Sequence, residues 1–197
     1  MIFTADLLQT VEIIMKERNL AFIDLETTGL ELEKHEIIEI GCIVARQVPR
    51  ETDGASLEII EEFEIKVKPE HIETADPVGL EINGYHENDW KDAIPLSDAM
   101  KIVAEKTREA NIVAHNVAFD SMFLEKAFEE TGVKNMMHYH KLDTISIAFA
   151  KLYGVPEVQK FSLRSLCEYF DIENKKAHTA LSDARATYEL YRKLMNA

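Results

Sequence analysis

Cysteine is scarce. The 197 residues hold two, Cys42 and Cys167, both in apolar settings, so no disulfide framework supports the fold and the pair reads as reduced core thiols of a cytoplasmic protein. No stretch approaches the roughly 18 apolar residues of a membrane helix, and the N-terminus lacks a basic region followed by an apolar core, which excludes a span and a secretory leader from the expectations. Repeats and low-complexity tracts are absent as well. Positive charge is in deficit: 22 Lys and Arg stand against 36 Asp and Glu, a net charge of −14. That balance excludes a broad basic surface of the kind that normally grips phosphates.

What is present is a set of acids in three short contexts: Asp24 and Glu26 in AFIDLETTGL, Asp120 in VAHNVAFDSMFL, and Asp183 in AHTALSDARAT, with His178 just ahead of it. Ala21 to Leu25 is apolar except for Asp24 and reads as a strand, so Asp24 and Glu26 leave the same face about 7 Å apart while Leu25 points to the core. Two carboxylates that close raise each other's pKa unless a cation sits between them, and hard oxygen ligands favour Mg²⁺ or Mn²⁺. The plainer alternative is a pair of solvated acids at a strand end. Thr27-Thr28-Gly29 reads as a turn, with Gly29 able to take positive φ and let a ligand approach the backbone. Ile112 to Ala114 reads as a short buried strand with His115-Asn116 as its exit. Phe119, Met122, Phe123, Ala127 and Phe128 then form the apolar stripe of a helix. Asp120 falls in the first turn of that helix, at the carboxyl end of a strand, where open α/β sheets put their sites; a helix dipole alone would also favour an acid there. His178 and Asp183 are five residues apart, about 140° around a helix. One of them must precede the terminal helix, which opens near Ala180 and carries Ala184, Thr187, Tyr188, Tyr191 and Leu194 at helical spacing.

The order and wording of these segments resemble the DEDDh (DnaQ-like) group of 3′–5′ exonucleases, the family of the bacterial DNA polymerase III epsilon proofreading subunit, with RNA-trimming relatives such as ribonuclease T and oligoribonuclease. D-x-E-T-T-G is met by Asp24 to Gly29, H-N-x-x-F-D by His115 to Asp120, and H-x-A-L-x-D-A by His178 to Ala184. The sister group with tyrosine in place of the histidine carries it four residues before the last Asp, where this chain has Thr179. The resemblance runs from about Leu20 to the C-terminus. It implies a ribonuclease-H-like α/β fold, a mixed five-stranded sheet flanked by helices, and two-metal hydrolysis of phosphodiester bonds from a 3′ end with release of nucleoside 5′-monophosphates. It also implies roles: Asp24 bridges two Mg²⁺ or Mn²⁺ ions, Glu26 and Asp183 hold one, Asp120 helps hold the other, and His178 is the general base. The Thr27, Thr28 and Gly29 turn would touch the terminal 3′-OH, Leu30 would wedge beside the last base, and His115, Asn116 and Phe119 would line the nucleotide pocket. Phe119, at helical spacing, is equally suited to the core.

DNA is the substrate expected first, in proofreading or repair. Trimming of RNA 3′ ends is the alternative within the family, and a non-cleaving module that binds nucleic-acid ends or a polymerase is the alternative outside it. A full ligand set with a base argues against the last. Two bound divalent ions would bring the charge to −14 + 4 = −10, which leaves either a weak grip on single-stranded 3′ ends or a partner, such as a DNA polymerase subunit, that supplies the basic surface.

The remaining chain reads as one domain over residues 20–197, preceded by an amphipathic helix over 1–19 that packs on the domain or at a partner contact. Glu36–Ala45 and Glu58–Val67 read as strands beside the first, joined by the polar stretch Arg46–Ser56. Pro77–Ile82 and Ser97–Ala110 read as helices. A strand near Tyr139–Leu142 leads to Asp143, a helix cap, and a helix through Leu152. His138 and His140 read as residues of a solvated strand edge.

Overall fold

The computed structural model describes residues 17–49, 55–174 and 179–196. Leu20–Thr27 forms strand β1, which runs through the middle of a five-stranded sheet. Ile37–Pro49 (β2) pairs with it antiparallel, and Ala55–Lys66 (β3) pairs antiparallel with β2. Asn111–Ala114 (β4) and Lys141–Asp143 (β5) follow on the other side, parallel to β1, giving the order β3-β2-β1-β4-β5. The expected mixed five-stranded architecture is borne out. The α-helices with both ends among the described residues are Pro77–Ile82 (α1), Leu96–Lys106 (α2), Val117–Thr131 (α3), Thr144–Leu152 (α4), Leu163–Phe170 (α5) and Ala180–Met195 (α6).

Alternation along β1 decides the layering. Ala21, Ile23 and Leu25 face one side, with Ile40, Cys42 and Val44 of β2, and are covered by Ala99, Met100 and Val103 of α2 and Phe123, Leu124 and Ala127 of α3. Leu20 and Phe22 face the other side and meet α6, where Phe22 stands edge-on to Tyr188 at 5.2 Å and to Tyr191 at 5.4 Å. Helix α6 therefore runs antiparallel to β1: its later turns cover Leu20 and Phe22. Its first turn reaches Asp24 and Glu26, which leave the same face of the strand.

Several boundaries differ from the sequence reading. Of the stretch Arg46–Ser56, the described residues 46–49 and 55–56 are strand, and Arg46 pairs with Glu58 across the ladder and holds the two strands together beyond Ala45; β3 is a neighbour of β2, not of β1. Strand β5 begins at Lys141, two residues later than expected, since His138, Tyr139 and His140 stack on one another with ring centroids 4.1 to 4.7 Å apart, and His138 Nδ1 pairs with Asn111 Oδ1 at 2.9 Å. These histidines lie off any strand edge. The second expected helix begins at Leu96 and ends at Lys106. Helix α5 was absent from the sequence reading. Of the amphipathic segment expected over residues 1–19, residues 1–16 lie outside the described residues. Arg18 donates to the Glu109 carbonyl and carboxylate at 3.2 and 2.5 Å.

Candidate active site

Strand β4 is short and pairs with β1 only as far as Phe22. Beyond it the chain leaves through His115 and Asn116, the latter left-handed at φ 74°, and turns into α3. The edge of β1 past Phe22 is then open, and the amide of Leu25, with no strand to bond, donates to Asp120 Oδ1 at 3.1 Å. Asp120 is thus tied to the residue between Asp24 and Glu26. It is 4% exposed in the first turn of α3.

Asp183 arrives from the opposite side of the sheet. The N-cap of α6, Thr179, makes no side-chain capping bond. Glu39 of β2 takes that part, its Oε1 accepting from the Ala180 amide at 2.9 Å. Two residues along the same strand face, Gly41 leaves room for the helix backbone: a Cβ there would stand 2.1 Å from the Ala180 carbonyl carbon. In register, Gly41 lies opposite Asp24 and Glu39 opposite Glu26. This seating brings one ligand oxygen each of Asp24, Glu26 and Asp183 to within 4.8 Å of one another. Asp183 Oδ1 also accepts from Asn174 Nδ2 at 2.6 Å, and Ser182 Oγ steadies Asn174 Oδ1 at 2.8 Å.

The electrostatics follow from this crowding. Burial, and then the charges of Asp120, Asp183, Glu26 and Glu39, push the Asp24 carboxyl well above the usual carboxylate range. Burial, and then the charges of Asp183, Glu39 and Asp120, raise Glu26 from 4.5 to about 8. Burial raises Asp120 from 3.8 to about 7 against the pull of the Leu25 amide and its own. An all-carboxylate, hard-oxygen set whose members oppose one another's ionisation suits a divalent cation, which would relieve that opposition. Asp24, Glu26 and Asp183 could hold it directly.

The turn after β1 is fixed on both sides. Thr28 N donates to the Glu36 carbonyl at 2.8 Å and Thr27 Oγ1 to the Gly29 carbonyl at 2.7 Å. Gly29 lies flat against the His35 ring, whose Cε1 would stand 2.4 Å from any Cβ added there. Helix α1 is latched beneath: Asp76 N bonds the Thr28 carbonyl at 2.7 Å and Asn83 Nδ2 the Thr27 carbonyl at 3.0 Å. Leu30 is 79% exposed, Val78 62% and Ile82 56%, so the turn and α1 present apolar side chains to solvent.

The other expected residues differ in their surroundings. Phe119 is half-buried against the core, 5.0 Å from the Phe123 ring. Both ring nitrogens of His115 are engaged within the protein, Nδ1 with Thr144 Oγ1 at 2.9 Å and Nε2 with the Phe161 carbonyl at 3.0 Å, and burial lowers its pKa. Asn116 is exposed at the cap of α3, its amide donating to Asp143 Oδ1 at 3.0 Å. Asp143 also caps α4 through the amides of Ile145 and Ser146, as expected. His178 lies outside the described residues. Sequence reasoning missed Glu39, Gly41, Asn174 and the α1 latch. Gly41 carried a usable signal, since an isolated glycine within an apolar strand marks close backbone approach.

Among solved structures, Escherichia coli exonuclease I in complex with a dT13 oligonucleotide shares this fold, with a TM-score of 0.72 over 90% of this chain and 41% of that one at 18% identity. DNA polymerase III of the PolC type from Bacillus subtilis is 29% identical over 182 residues, which take in 92% of this chain and 12% of that protein. Ribonuclease T from Haemophilus influenzae is 28% identical over 186 residues, 88% of this chain and 78% of that protein. The chain spans 11–12% of the length of the PolC relatives. The resemblance seen in the three motifs extends through a family model for exonucleases that matches residues 21–191, and the chain belongs to that exonuclease family.

Proposed function

We propose that this chain is a metal-dependent 3′–5′ exonuclease that removes nucleoside 5′-monophosphates one at a time from the 3′ end of DNA, in proofreading or repair. The observation that carries the reading is the meeting of Asp24, Glu26 and Asp183 from opposite elements, with Asp120 hydrogen-bonded to the strand residue between the first two. On this reading the set would hold two divalent cations, Mg²⁺ or Mn²⁺: Glu26 and Asp183 would hold one, Asp120 would contribute to the other, and Asp24 would serve both. Paired cations, when bound, stabilise the attacking and leaving oxygens of an in-line displacement.

The chain's own residues bind and orient. The backbone of Thr27, Thr28 and Gly29, held against β2 and α1, receives the terminal 3′-OH, and exposed Leu30 lies against the last base. Asn116 and Phe119 border the nucleotide. His115 holds the exit of β4 to α4 and the Phe161 loop. His178 takes the proton of the attacking water, as an imidazole titrating near 6.5 can at working pH. The segment matched in the PolC relatives is part of a polymerase, so a DNA polymerase is a candidate partner. Cytoplasmic residence belongs to the same reading, in keeping with two buried free thiols. No helix among the described residues is long and apolar enough to cross a membrane.

RNA is the second reading, favoured by the Haemophilus relative, whose name is ribonuclease T and of whose length this chain covers 78%. The test is digestion of single-stranded DNA, duplex DNA and short RNA, each with a 3′-hydroxyl or a 3′-phosphate. Release of 5′-monophosphates from hydroxyl ends is expected, with the phosphate forms blocked because a dianion would stand beside Asp24 and Glu26. Equal cleavage of both forms, or cuts within a circular strand, would sink the 3′-end reading. Preference for RNA would replace DNA as substrate.

A further inference from the structure

Helix α4 turns Thr144, Ala148 and Leu152 into the core, and this leaves Phe149 and Tyr153, one turn apart, on its outer side with 50% and 78% of their surface exposed. The rings meet edge-on at 5.3 Å, and the loop after the helix brings Phe161 back to 5.4 Å from Phe149. With Val155, Pro156 and Val158 they wall a shallow cavity of about 360 Å³. Phe161 is half-buried against the core and props the other two rings, and a contiguous apolar patch left in water marks a contact surface.

The charge around them departs from the rest of the chain. Residues 143–168 hold Lys151, Lys160 and Arg164 against Asp143, Glu157 and Glu168, or +3 − 3 = 0 within a chain of net charge −14, so this stretch lacks the repulsion a phosphate meets elsewhere. Lys160 is exposed beside Phe161, and Arg164 is exposed in a solvent-facing pair with Glu168 at 3.1 Å. The surface is also continuous with the acidic site. Phe161 offers its carbonyl to His115 Nε2 at 3.0 Å, and His115 leaves β4 just ahead of the helix that carries Asp120. From Thr144, at the same sheet edge, Phe149 lies about 8 Å and Tyr153 about 14 Å along the helix.

We infer that Phe149, Tyr153 and Phe161 form a stacking platform for the unpaired bases of a nucleic-acid strand leading away from the reacting 3′ end, with Lys160 and Arg164 beside its phosphates. This rests on the exonuclease reading and deepens it: the substrate class becomes a strand whose base faces are free, since a duplex hides them. Phenyl and phenol faces accept any base, so no sequence preference follows. The platform also answers the charge deficit, because stacking supplies grip that a chain poor in cations cannot draw from phosphates.

The test uses the full chain with Phe149→Ala and Tyr153→Ala combined. Both side chains stand largely in water, and a melting curve checks that the fold is kept. In chelator, fluorescence anisotropy of a 5′-labelled oligothymidylate of about twelve nucleotides reads binding, within the span a single-strand groove covers. The double variant is expected to lose about ten- to hundred-fold in affinity, the weight of one or two stacked bases. With Mn²⁺, its KM for that strand should rise while kcat holds, and its turnover of a dinucleotide, too short to reach the platform, should be unchanged. Unchanged binding of the long strand, no binding by the unsubstituted chain, or equal loss on the dinucleotide would overturn the platform. A chain that hydrolyses neither substrate would overturn the exonuclease reading, yet loss of long-strand binding in chelator would still support the platform.

Discussion

Glu39 is 4% exposed and carries a carboxylate that burial pushes up and the Ala180 amide pulls down. Its value to the site lies in the hydrogen bond, because that amide opens α6 and no side chain at Thr179 caps it. Glu39→Ala should therefore cost about 1–3 kcal/mol, the usual penalty for a buried donor without a partner, and lower kcat by loosening Asp183. Glu39→Gln keeps an oxygen for the amide and removes a repelling charge, so its stability should stay near that of the unsubstituted chain. Urea unfolding of both variants reads the difference; equal losses would mean that the charge of Glu39, not its acceptor, matters. The residue also marks where sequence reading stopped. Asp24, Glu26, Asp120 and Asp183 stood out as acids in motifs with an internal order. Glu39, an equally odd acid in the apolar run EIIEIGCIVA, has as its partner a backbone amide 141 residues away, which no local pattern discloses.

Helix α6 is the element on which the site depends, since it both covers Leu20 and Phe22 and carries Asp183. Gly41 is its seat. In Gly41→Ala the new methyl would lie 2.1 Å from the Ala180 carbonyl carbon and 2.2 Å from the Leu181 amide nitrogen. Backbone cannot yield as a flexible side chain does, so the helix must shift, at a cost of about 3 kcal/mol or more. Activity should fall at least as steeply as in Glu39→Ala, read by thermal unfolding and initial rates; a variant as stable and active as the parent would mean that the helix does not sit on β2 in this way. At this scale, long periodic elements were legible. Strand β1 and helices α1, α3, α4 and α6 follow from apolar spacing and turn residues. The far ends of β2 and β3 were not, because their stability comes from pairing across strands, as Arg46 with Glu58, and not from hydrophobic alternation. Helix α5 had signals that went unused: Ser162 caps it, and its buried face carries Leu166 and Cys167.

For the molecule as a whole, four carboxyl groups held close together make stability depend on pH and on cations. Above about pH 7 the lowered histidines are already neutral, and the raised acids dominate. With Glu26 titrating near 8 and Asp24 well above its ordinary range, the folded chain there binds more protons than the unfolded one, so stability falls as pH rises. In chelator the melting temperature should drop between about pH 7 and 9. Saturating Mg²⁺ or Mn²⁺ should raise it most at the upper end, because cation binding displaces those protons. A melting temperature that climbs with pH in chelator would contradict the crowding of these acids. On the proposed reading, this cluster hydrolyses nucleic acid from the 3′ end with a divalent ion. The most direct test of that reading follows a 5′-labelled single-stranded oligonucleotide with a 3′-hydroxyl through digestion by the parent chain and by Asp24→Asn, each in Mn²⁺ and in chelator. A ladder that shortens one nucleotide at a time is expected only for the parent chain with Mn²⁺, with a rate at least about 10²-fold lower for Asp24→Asn. Equal ladders in chelator, or from Asp24→Asn, would contradict the reading.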